Sequence, residues 1–264
     1  MDLFLAGGTI EARITGEGPP LVLLHSLLAD RGSFHAVVPA LATEFRVMLA
    51  NLPGFGASRA VAGGLAAVAD RIVSAMNEFA GGQPVRLLGN GYGGFIALQA
   101  AIRHPGLVNR LVLLDSGAAF PDAGRAQFRA IAAGVRSKGL EGVADTAMRR
   151  LFAPDFHASN PDLVAERRAI FLRSDPAVVI EACETLAVLD MREALPALRL
   201  PVLAMVGSQD EATPPAMSQE VVDLLPCAEL TVLEGLAHVP QLQAPEVFLA
   251  SVLPFLRDSV SDAK

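Results

Sequence analysis

Short apolar runs recur along the chain, each bounded by glycine, proline or aspartate. They are LVLLH from residue 21, RVMLA from 46, VRLLG from 85, RLVLLD from 110, PVLAMVG from 201 and ELTVLEG from 229. Runs without polar alternation are typical of strands buried on both faces of a parallel sheet. Apolar residues at helical spacing occupy residues 65–79, 92–103, 218–225 and 245–256 between them. The alternation predicts a doubly wound α/β fold with helices on both faces of the sheet.

Two segments depart from this alternation. The first 20 residues, with DLFLAGGTIEARITGEGPP, predict a hairpin that adds antiparallel strands at one edge of the sheet. Residues 120–195 have helical character throughout, with proline, asparagine and glycine between the helical stretches. We therefore expect a core formed by residues 1–119 and 196–264, with a helical cap at 120–195 inserted between two strands. A chain of 264 residues with 52% hydrophobic content can bury one large core.

Composition narrows the classes of partner. The formal net charge of -7 disfavours binding to nucleic acid and to anionic membranes. Cys183 and Cys227 are the two cysteines, so we expect no disulfide framework and a reducing compartment. The start of the chain does not resemble a secretory signal, and no apolar run has the roughly 18 residues of a membrane span. We expect a soluble, cytoplasmic protein without a metal site or a cofactor, because its histidines lack metal-ligand spacing.

The glycine-rich turn in LLGNGYGGFI, residues 87–96, has two interpretations. Gly89, Gly91 and Gly94 spell the dinucleotide-binding pattern G-x-G-x-x-G, and Asp115 lies about 20 residues on, where a ribose-binding acid belongs. Alternatively, Gly89 and Gly93 bracket position 91 as in the nucleophile elbow G-x-S-x-G. The second interpretation places Gly91 where the catalytic serine should stand.

Later segments favour the elbow. In elbow enzymes the triad acid and histidine follow the nucleophile in that order. VGSQDEATPP places Asp210 just past one predicted strand, and LEGLAHVPQL places His238 just past the next. With LVLLHS as an oxyanion loop, NLPGFGASR as a following turn and GNGYGG as the elbow, the chain resembles the α/β-hydrolase superfamily over essentially its whole length.

Within that superfamily the chain is most similar to 3-oxoadipate enol-lactonase-like hydrolases. HSLLAD from residue 25 and the segment from LFAPDF to LRLPVL carry this similarity. Members hydrolyse small enol-lactones, esters or related carbonyl compounds, so the resemblance implies a small-molecule substrate. Two positions depart from the family pattern. Leu28 replaces a glycine of the oxyanion loop, and Gly91 replaces the serine.

The resemblance also implies roles for individual residues. His238 would act as the general base and acid, and Asp210 would fix its tautomer. The backbone N–H groups of Leu27 and Tyr92 would form the oxyanion hole.

Further residues of the same loops are also candidates for the site. His25, Ser26 and Asn90 are expected near the substrate, although His25 also suits packing of the oxyanion loop. Ser26 is not expected to be the nucleophile, because the loop sets its direction. Asp115 stays open between a strand-end acid, a substitute triad acid and a ligand contact.

Gly91 decides the expected chemistry. The elbow forces its central residue to a positive φ, which glycine adopts without strain. The substitution removes the hydroxyl that would attack a carbonyl, and such a loss costs on the order of 10⁶ in turnover. We therefore expect acyl-enzyme chemistry to be lost or very weak. The alternatives are an enzyme in which His238 and Asp210 activate water or abstract a proton, and a non-catalytic relative that binds a small molecule.

Overall fold

The computed structural model describes residues 2–257. Within them, eight strands form one sheet. The strands are β1 Asp2–Leu5, β2 Ile10–Thr15, β3 Pro20–Leu24, β4 Arg46–Ala50, β5 Val85–Asn90, β6 Val108–Leu114, β7 Val202–Gly207 and β8 Ala228–Leu233. Their order is β1-β2-β4-β3-β5-β6-β7-β8. β1 and β2 pair antiparallel at one edge, and β2 pairs antiparallel with β4. The other six strands, β3 to β8, run parallel to one another. The predicted α/β class and the edge hairpin are confirmed.

Helices connect the parallel strands. They are α1 Val38–Leu41, α2 Gly64–Ala80, α3 Tyr92–Arg103, α4 Asp122–Lys138, α5 Glu141–Leu151, α6 Pro154–Ser159, α7 Pro161–Phe171, α8 Pro176–Leu186, α9 Pro215–Leu224, α10 Pro240–Gln243 and α11 Pro245–Arg257. The four helices that the apolar spacing predicts, α2, α3, α9 and α11, occur within three residues of the expected bounds. Among the helices described, none is long and apolar enough to cross a membrane.

The sheet is buried on both faces. Val22 and Leu24 of β3 belong to a large apolar cluster with α2, α3 and the helices from α4 to α8. Leu21 and Leu23 of the same strand belong to a second cluster, with Phe248 of α11. Alternate residues of one apolar run therefore stabilise opposite faces, which explains why the run shows no polar alternation.

β8 differs from the prediction that each apolar run is a strand buried on both faces. It is the edge strand of the sheet, and Val232 is exposed. An edge strand has a neighbour on one side, so part of its surface faces solvent, and β8 carries Glu229 and Thr231 where β7 is apolar throughout.

Helices α4 to α8 fill the chain between β6 and β7, where the sequence predicts the insertion. α4 packs against α5 and α8, α5 packs against α7, and α7 packs against α6, so these helices contact one another in a connected group. An isolated bridge between Ala119 and Asp190 brings the two ends of this stretch together. We refer to α4–α8 as the cap.

Candidate active site

The glycine turn joins β5 to α3 at the C-terminal edge of the sheet. Gly91 is the residue before the first turn of α3, with φ of 53° and ψ of -119°. Its N–H donates to the carbonyl oxygen of Leu114 on β6 at 2.9 Å, which fixes the turn against the neighbouring strand. A non-glycine residue would be strained at this positive φ.

The glycines beside it allow a close approach of helix to strand. A Cβ atom at Gly93 would lie 2.3 Å from the carbonyl oxygen of Leu24, and one at Gly89 would lie 2.2 Å from the carbonyl oxygen of Gly93. Over Gly91 itself stand Ser26 Oγ and His238 Nε2, at 2.6 and 2.7 Å from a Cβ atom built there. The space that a pyrophosphate would need above this turn is therefore occupied, which argues against the dinucleotide-binding interpretation.

Asp210 and His238 meet above the turn although 28 residues separate them. His238 Nδ1 lies 2.9 Å from Asp210 Oδ2, and both side chains are buried. Asp210 comes from the loop after β7, and His238 comes from the loop after β8. Because the carboxylate accepts from Nδ1, it holds the imidazole in the tautomer whose Nε2 is free to act as a base.

Thr213 completes the surroundings of the carboxylate. Its hydroxyl donates to Asp210 Oδ2 at 2.6 Å, and its N–H and that of Ala212 donate to Oδ1 at 3.2 and 2.8 Å. Burial alone would raise the pKa of Asp210, but the neighbouring His238 and these hydrogen bonds outweigh it and lower the pKa. Asp210 is therefore ionised at neutral pH and can stabilise a protonated His238.

In the described part of the chain, two residues with free backbone N–H groups line the same cavity. Leu27 follows β3, and Tyr92 is the first residue of α3. Neither N–H donates a hydrogen bond to an acceptor within residues 2–257, and both residues line the cavity above Gly91. The helix N-terminus at Tyr92 adds a favourable potential for a negative oxygen. The pair has the composition of an oxyanion hole, the role expected from the sequence.

Ser26 has a contact that the sequence does not reveal. Its Oγ lies 3.2 Å from His238 Nε2, and 212 residues separate the two along the chain. Ser26 lines the cavity, as expected of a residue near the substrate. The sequence places Ser26 in the oxyanion loop but carries no signal for the direction of its hydroxyl.

The structure places His25 behind the cavity wall. Its Nδ1 donates to the carbonyl oxygen of Ser26 at 2.8 Å, and its Nε2 accepts from the N–H of Leu52 at 3.0 Å. Complete burial lowers its pKa to about 4, so it is neutral at physiological pH. His25 does not line the cavity, and its expected contact with substrate stays a prediction. It holds the oxyanion loop in place, which agrees with the packing alternative.

Asn90 is also withdrawn from the cavity. Its Nδ2 donates to the carbonyl oxygen of His238 at 2.9 Å, and its Oδ1 accepts from Gln241 Nε2 at 3.1 Å. The side chain is fully buried. Asn90 thus links the elbow to the histidine loop. It does not line the cavity, and its expected contact with substrate stays a prediction.

Asp115 directly follows β6 and lies in a strained, fully buried position. Its φ is 49°, its Oδ1 accepts from the N–H of Gly207 at 2.8 Å, and its Oδ2 has no partner among the described residues. Burial and the neighbouring Asp210 carboxylate raise its pKa well above the usual value. Asp115 does not line the cavity. It lies beside the acid of the site, and His238 pairs with Asp210 rather than with it.

The cap and the strand-end loops enclose a cavity of about 250 Å³. Its floor is formed by Ser26, Leu27, Gly91, Tyr92 and His238. Its upper wall is mostly apolar, with Phe95, Phe120, Phe128, Ile131, Val143, Ala147, Phe171, Cys183 and Leu186, and with Thr146 and Arg150 as polar members. Apolar surroundings strengthen electrostatic interactions at the floor.

Other candidate chemistry is not assembled in the part of the chain described. Within residues 2–257, no three His, Cys, Asp or Glu side chains cluster as metal ligands would. Cys183 is buried and Cys227 is exposed, and both are free thiols.

Comparisons with known proteins agree with this geometry. The alpha/beta hydrolase fold model matches residues 19–245. A pimeloyl-[acyl-carrier protein] methyl ester esterase of Vibrio vulnificus is 30% identical over 248 residues, covering 91% of this chain and 95% of that protein. A thermophilic esterase from Thermogutta terrifontis has a TM-score of 0.87 at 27% identity, with 97% of this chain and 98% of that chain covered.

The enol-lactonase from Burkholderia xenovorans LB400 shares the fold, with a TM-score of 0.87 at 24% identity and coverage of 98% of this chain and 100% of that chain. The family match spans most of the chain, and the elbow, acid and histidine loops follow in the family's order. The chain therefore belongs to the α/β-hydrolase family.

Proposed function

We propose that this protein hydrolyses small, largely apolar carboxylic esters or lactones, with His238 as the general base. The observation that carries the proposal is the Asp210–His238 pair, joined at 2.9 Å, with His238 lining the cavity above Gly91. An ionised, fully hydrogen-bonded acid behind a buried histidine is the arrangement that removes a proton from a nucleophile. Two backbone N–H groups on the same cavity floor suit the oxyanion of ester hydrolysis.

The cavity favours a particular class of substrate. Its volume of about 250 Å³ and its phenylalanine, isoleucine and valine side chains suit an acyl group with several apolar carbons. Arg150 and Thr146 are the polar groups of the cap side, where a second polar end of the substrate can be met. Arg150 donates to Gln127 Oε1, which positions its guanidinium group at this end of the cavity.

Two relatives support ester hydrolysis as the reaction class. The Vibrio vulnificus relative is named for a methyl ester, and the Thermogutta terrifontis structure is that of an esterase. The similarity of HSLLAD and of the cap segment to enol-lactonase-like hydrolases adds lactones to the proposal. A free small-molecule ligand is therefore the proposed partner.

Gly91 sets the expected rate. Loss of the elbow serine removes a contribution on the order of 10⁶ to turnover in enzymes of this kind. The histidine base and the oxyanion hole still contribute, the base typically 10²- to 10⁴-fold. We therefore propose a slow hydrolase in which no acyl group is carried at position 91.

The test is hydrolysis of p-nitrophenyl esters from acetate to decanoate, together with a panel of small lactones, by the full chain. The expected result is slow turnover above the buffer rate, with a preference for acyl groups of intermediate length. His238→Ala should lower kcat/KM by about 100-fold or more. Asp210→Asn should lower kcat/KM too, because the amide cannot stabilise a protonated histidine.

His35→Gln is the matched control. This histidine is exposed and donates Nδ1 to the carbonyl oxygen of Gly32, outside the cavity, so its replacement should leave turnover unchanged. No hydrolysis of any panel member by the unmodified chain would overturn the proposal. Saturable binding of the same esters without turnover would identify the protein as a binding relative instead.

A further inference from the structure

We propose that Ser26 is the nucleophile of this site, so that the hydroxyl missing from position 91 is supplied from the opposite loop. The proposal rests on the hydrolase function proposed above and names the group that the His238 base deprotonates. It differs from a water mechanism because it requires a covalent acyl group on Ser26.

The first support is the hydrogen bond. Ser26 Oγ lies 3.2 Å from His238 Nε2, within the range of a nucleophile and its base. His238 Nδ1 lies 2.9 Å from Asp210 Oδ2. The hydroxyl, imidazole and carboxylate therefore form a continuous chain in the order that a catalytic triad requires.

A second hydroxyl close to His238, that of Thr213, is already hydrogen-bonded to Asp210. Thr213 Oγ1 lies 3.4 Å from Nδ1, on the acid side of the ring, and donates to Asp210 Oδ2 at 2.6 Å. Ser26 is thus the hydroxyl that faces the basic nitrogen among the cavity-lining residues described.

The second support is the use of the space above Gly91. A Cβ atom at position 91 would lie 2.6 Å from Ser26 Oγ and 2.7 Å from His238 Nε2. Both distances are too short for real contacts, so an elbow side chain and the present Ser26–His238 pair exclude each other. The absence of a side chain at Gly91 leaves room for Ser26 to reach the histidine.

The third support is that the two oxyanion donors can exchange their roles. In an elbow enzyme, one donor is the N–H of the residue after the nucleophile and the other comes from the oxyanion loop. With Ser26 as the nucleophile, Leu27 is the residue after it, and Tyr92 supplies the N–H from across the site. Neither N–H has a partner within residues 2–257, so both remain available after the exchange.

The loop that carries Ser26 is held firmly. The carbonyl oxygen of Ser26 accepts from His25 Nδ1 at 2.8 Å and from the N–H of Ala29 at 3.2 Å. His25 in turn accepts from the N–H of Leu52 through Nε2. A nucleophile on a fixed loop loses little freedom when it reacts, which favours a productive geometry.

The reaction balances with water as the second substrate. Ser26 Oγ bonds to the ester carbonyl carbon, its proton passes to His238 Nε2, and the carbonyl electron pair moves to the oxygen held by Leu27 and Tyr92. The carbonyl group then re-forms, the C–O bond to the alcohol breaks, and His238 gives its proton to the departing alcohol oxygen. Water then attacks the acyl-Ser26 ester, its proton passes through His238 to Ser26 Oγ, and the carboxylic acid leaves.

The deciding experiment is labelling of the full chain with diisopropyl fluorophosphate, followed by tryptic mass spectrometry. Ser26 Oγ bonds to the phosphorus atom of the reagent, fluoride leaves, and the serine proton passes to His238. One adduct per chain is expected on residues 14–31, where Ser26 is the single serine. His238→Ala should slow this labelling by about 100-fold, because an unassisted serine is a weak nucleophile.

Ser26→Ala and Ser33→Ala form the matched pair. Ser33 is a buried serine a few residues further on, does not line the cavity, and lies in a different tryptic peptide. Ser26→Ala should lower kcat/KM by about 100-fold or more, while Ser33→Ala leaves turnover and labelling unchanged.

The outcomes separate this proposal from the proposed function. Absence of an adduct on residues 14–31 overturns Ser26 as the nucleophile, whatever the rates. If the unmodified chain hydrolyses esters and Ser26→Ala stays within threefold of it, the hydrolase function stands with water as the nucleophile. An adduct on Ser26 without turnover of any ester or lactone supports the nucleophile and overturns the hydrolase function. Because labelling of the unmodified chain needs no variant, a folding failure of Ser26→Ala leaves the test intact.

Discussion

The side-chain amide of Asn90 donates a 2.9 Å hydrogen bond to the backbone carbonyl oxygen of His238. This bond joins the end of β5, which positions the elbow, to the loop after β8, which carries the base. The Oδ1 atom of the same Asn90 amide accepts from Gln241 Nε2 at 3.1 Å. This buried amide therefore fixes the position of the His238 backbone relative to Gly91, although it does not line the cavity.

Replacing this amide should misplace the base. Asn90→Leu keeps the approximate volume but leaves the carbonyl oxygen of His238 and the amide of Gln241 without partners, at a cost of ~1–3 kcal/mol each. We expect a lower free energy of unfolding in urea and a lower kcat with KM nearly unchanged. Asn77→Leu, on the exposed face of α2, is the control. An unchanged kcat in a destabilised Asn90→Leu would show that the bond is structural alone.

Asp115 should make the protein less stable as pH rises. Its folded-state pKa is raised, so the folded chain keeps a proton that the unfolded chain releases above about pH 3.9. Stability then falls with rising pH, by up to ~1.4 kcal/mol per unit, until the raised pKa is passed. Asp115→Asn cannot titrate, and asparagine tolerates the positive φ. The stability of the variant relative to the unmodified chain should rise between pH 4.5 and pH 8 in urea unfolding. Parallel pH dependences would contradict this.

His25 should make the protein less stable as pH falls, the opposite direction to Asp115. Its pKa of about 4 in the folded chain lies below the usual 6.5, so the unfolded chain binds a proton first as pH falls. The stability that neutral His25 contributes is thus complete above pH 6.5 and is lost between 6.5 and 4. His25→Asn leaves the N–H of Leu52 unsatisfied and should cost ~1–3 kcal/mol at pH 7. This deficit should shrink at pH 5, and a constant deficit would show that His25 does not titrate in this way.

Much of the fold follows from the sequence because its strongest signals are local. Strands buried on both faces read as continuous apolar runs, and the predicted bounds of Tyr92–Arg103 match those of α3. The sequence locates the elbow, acid and histidine loops because each directly follows a strand. Only β8 departs, since an apolar run does not show whether a strand lies at the edge of a sheet.

The site is less predictable because its contacts join distant parts of the chain. His25 and Asn90 resemble polar residues of an active site, but each uses both polar ends on buried groups from other loops. Ser26 meets His238 across 212 residues, and the direction of its hydroxyl depends on the empty space above Gly91. No periodicity or spacing encodes these directions.

The cap should set the preference for acyl chain length. Ala147 on α5 lines the cavity, and Ala147→Leu would add three carbons to an apolar wall. We expect kcat/KM for p-nitrophenyl decanoate to fall about 10-fold or more relative to the butyrate, since one methylene in a pocket is worth ~1–3 kcal/mol. Ala126→Leu, exposed on α4, is the control. An equal change for both esters would indicate that acyl chains do not enter the cap side.

Restoring a serine at position 91 should test how the two hydroxyls compete. Gly91→Ser alone places its Cβ within 2.6 Å of Ser26 Oγ at a φ of 53°, so the free energy of unfolding should fall by ~1–3 kcal/mol or more. Ser26→Ala removes the closest atom and leaves Cβ contacts of 2.7 Å with His238 Nε2 and 3.1 Å with the Cβ of residue 26. The double variant Gly91→Ser/Ser26→Ala should therefore be more stable than Gly91→Ser.

The double variant should also hydrolyse p-nitrophenyl butyrate faster than the unmodified chain, because an elbow serine then meets His238 and both oxyanion donors. Its fluorophosphate adduct should move from residues 14–31 to the tryptic peptide that contains position 91. Gly91→Ala is the matched control, since it brings the same Cβ and the same backbone strain without a hydroxyl. If Gly91→Ala/Ser26→Ala equals Gly91→Ser/Ser26→Ala in turnover, the introduced hydroxyl is not the nucleophile. If the serine variant alone gains turnover, and His238→Ala abolishes the gain, the elbow is intact and lacks only that hydroxyl.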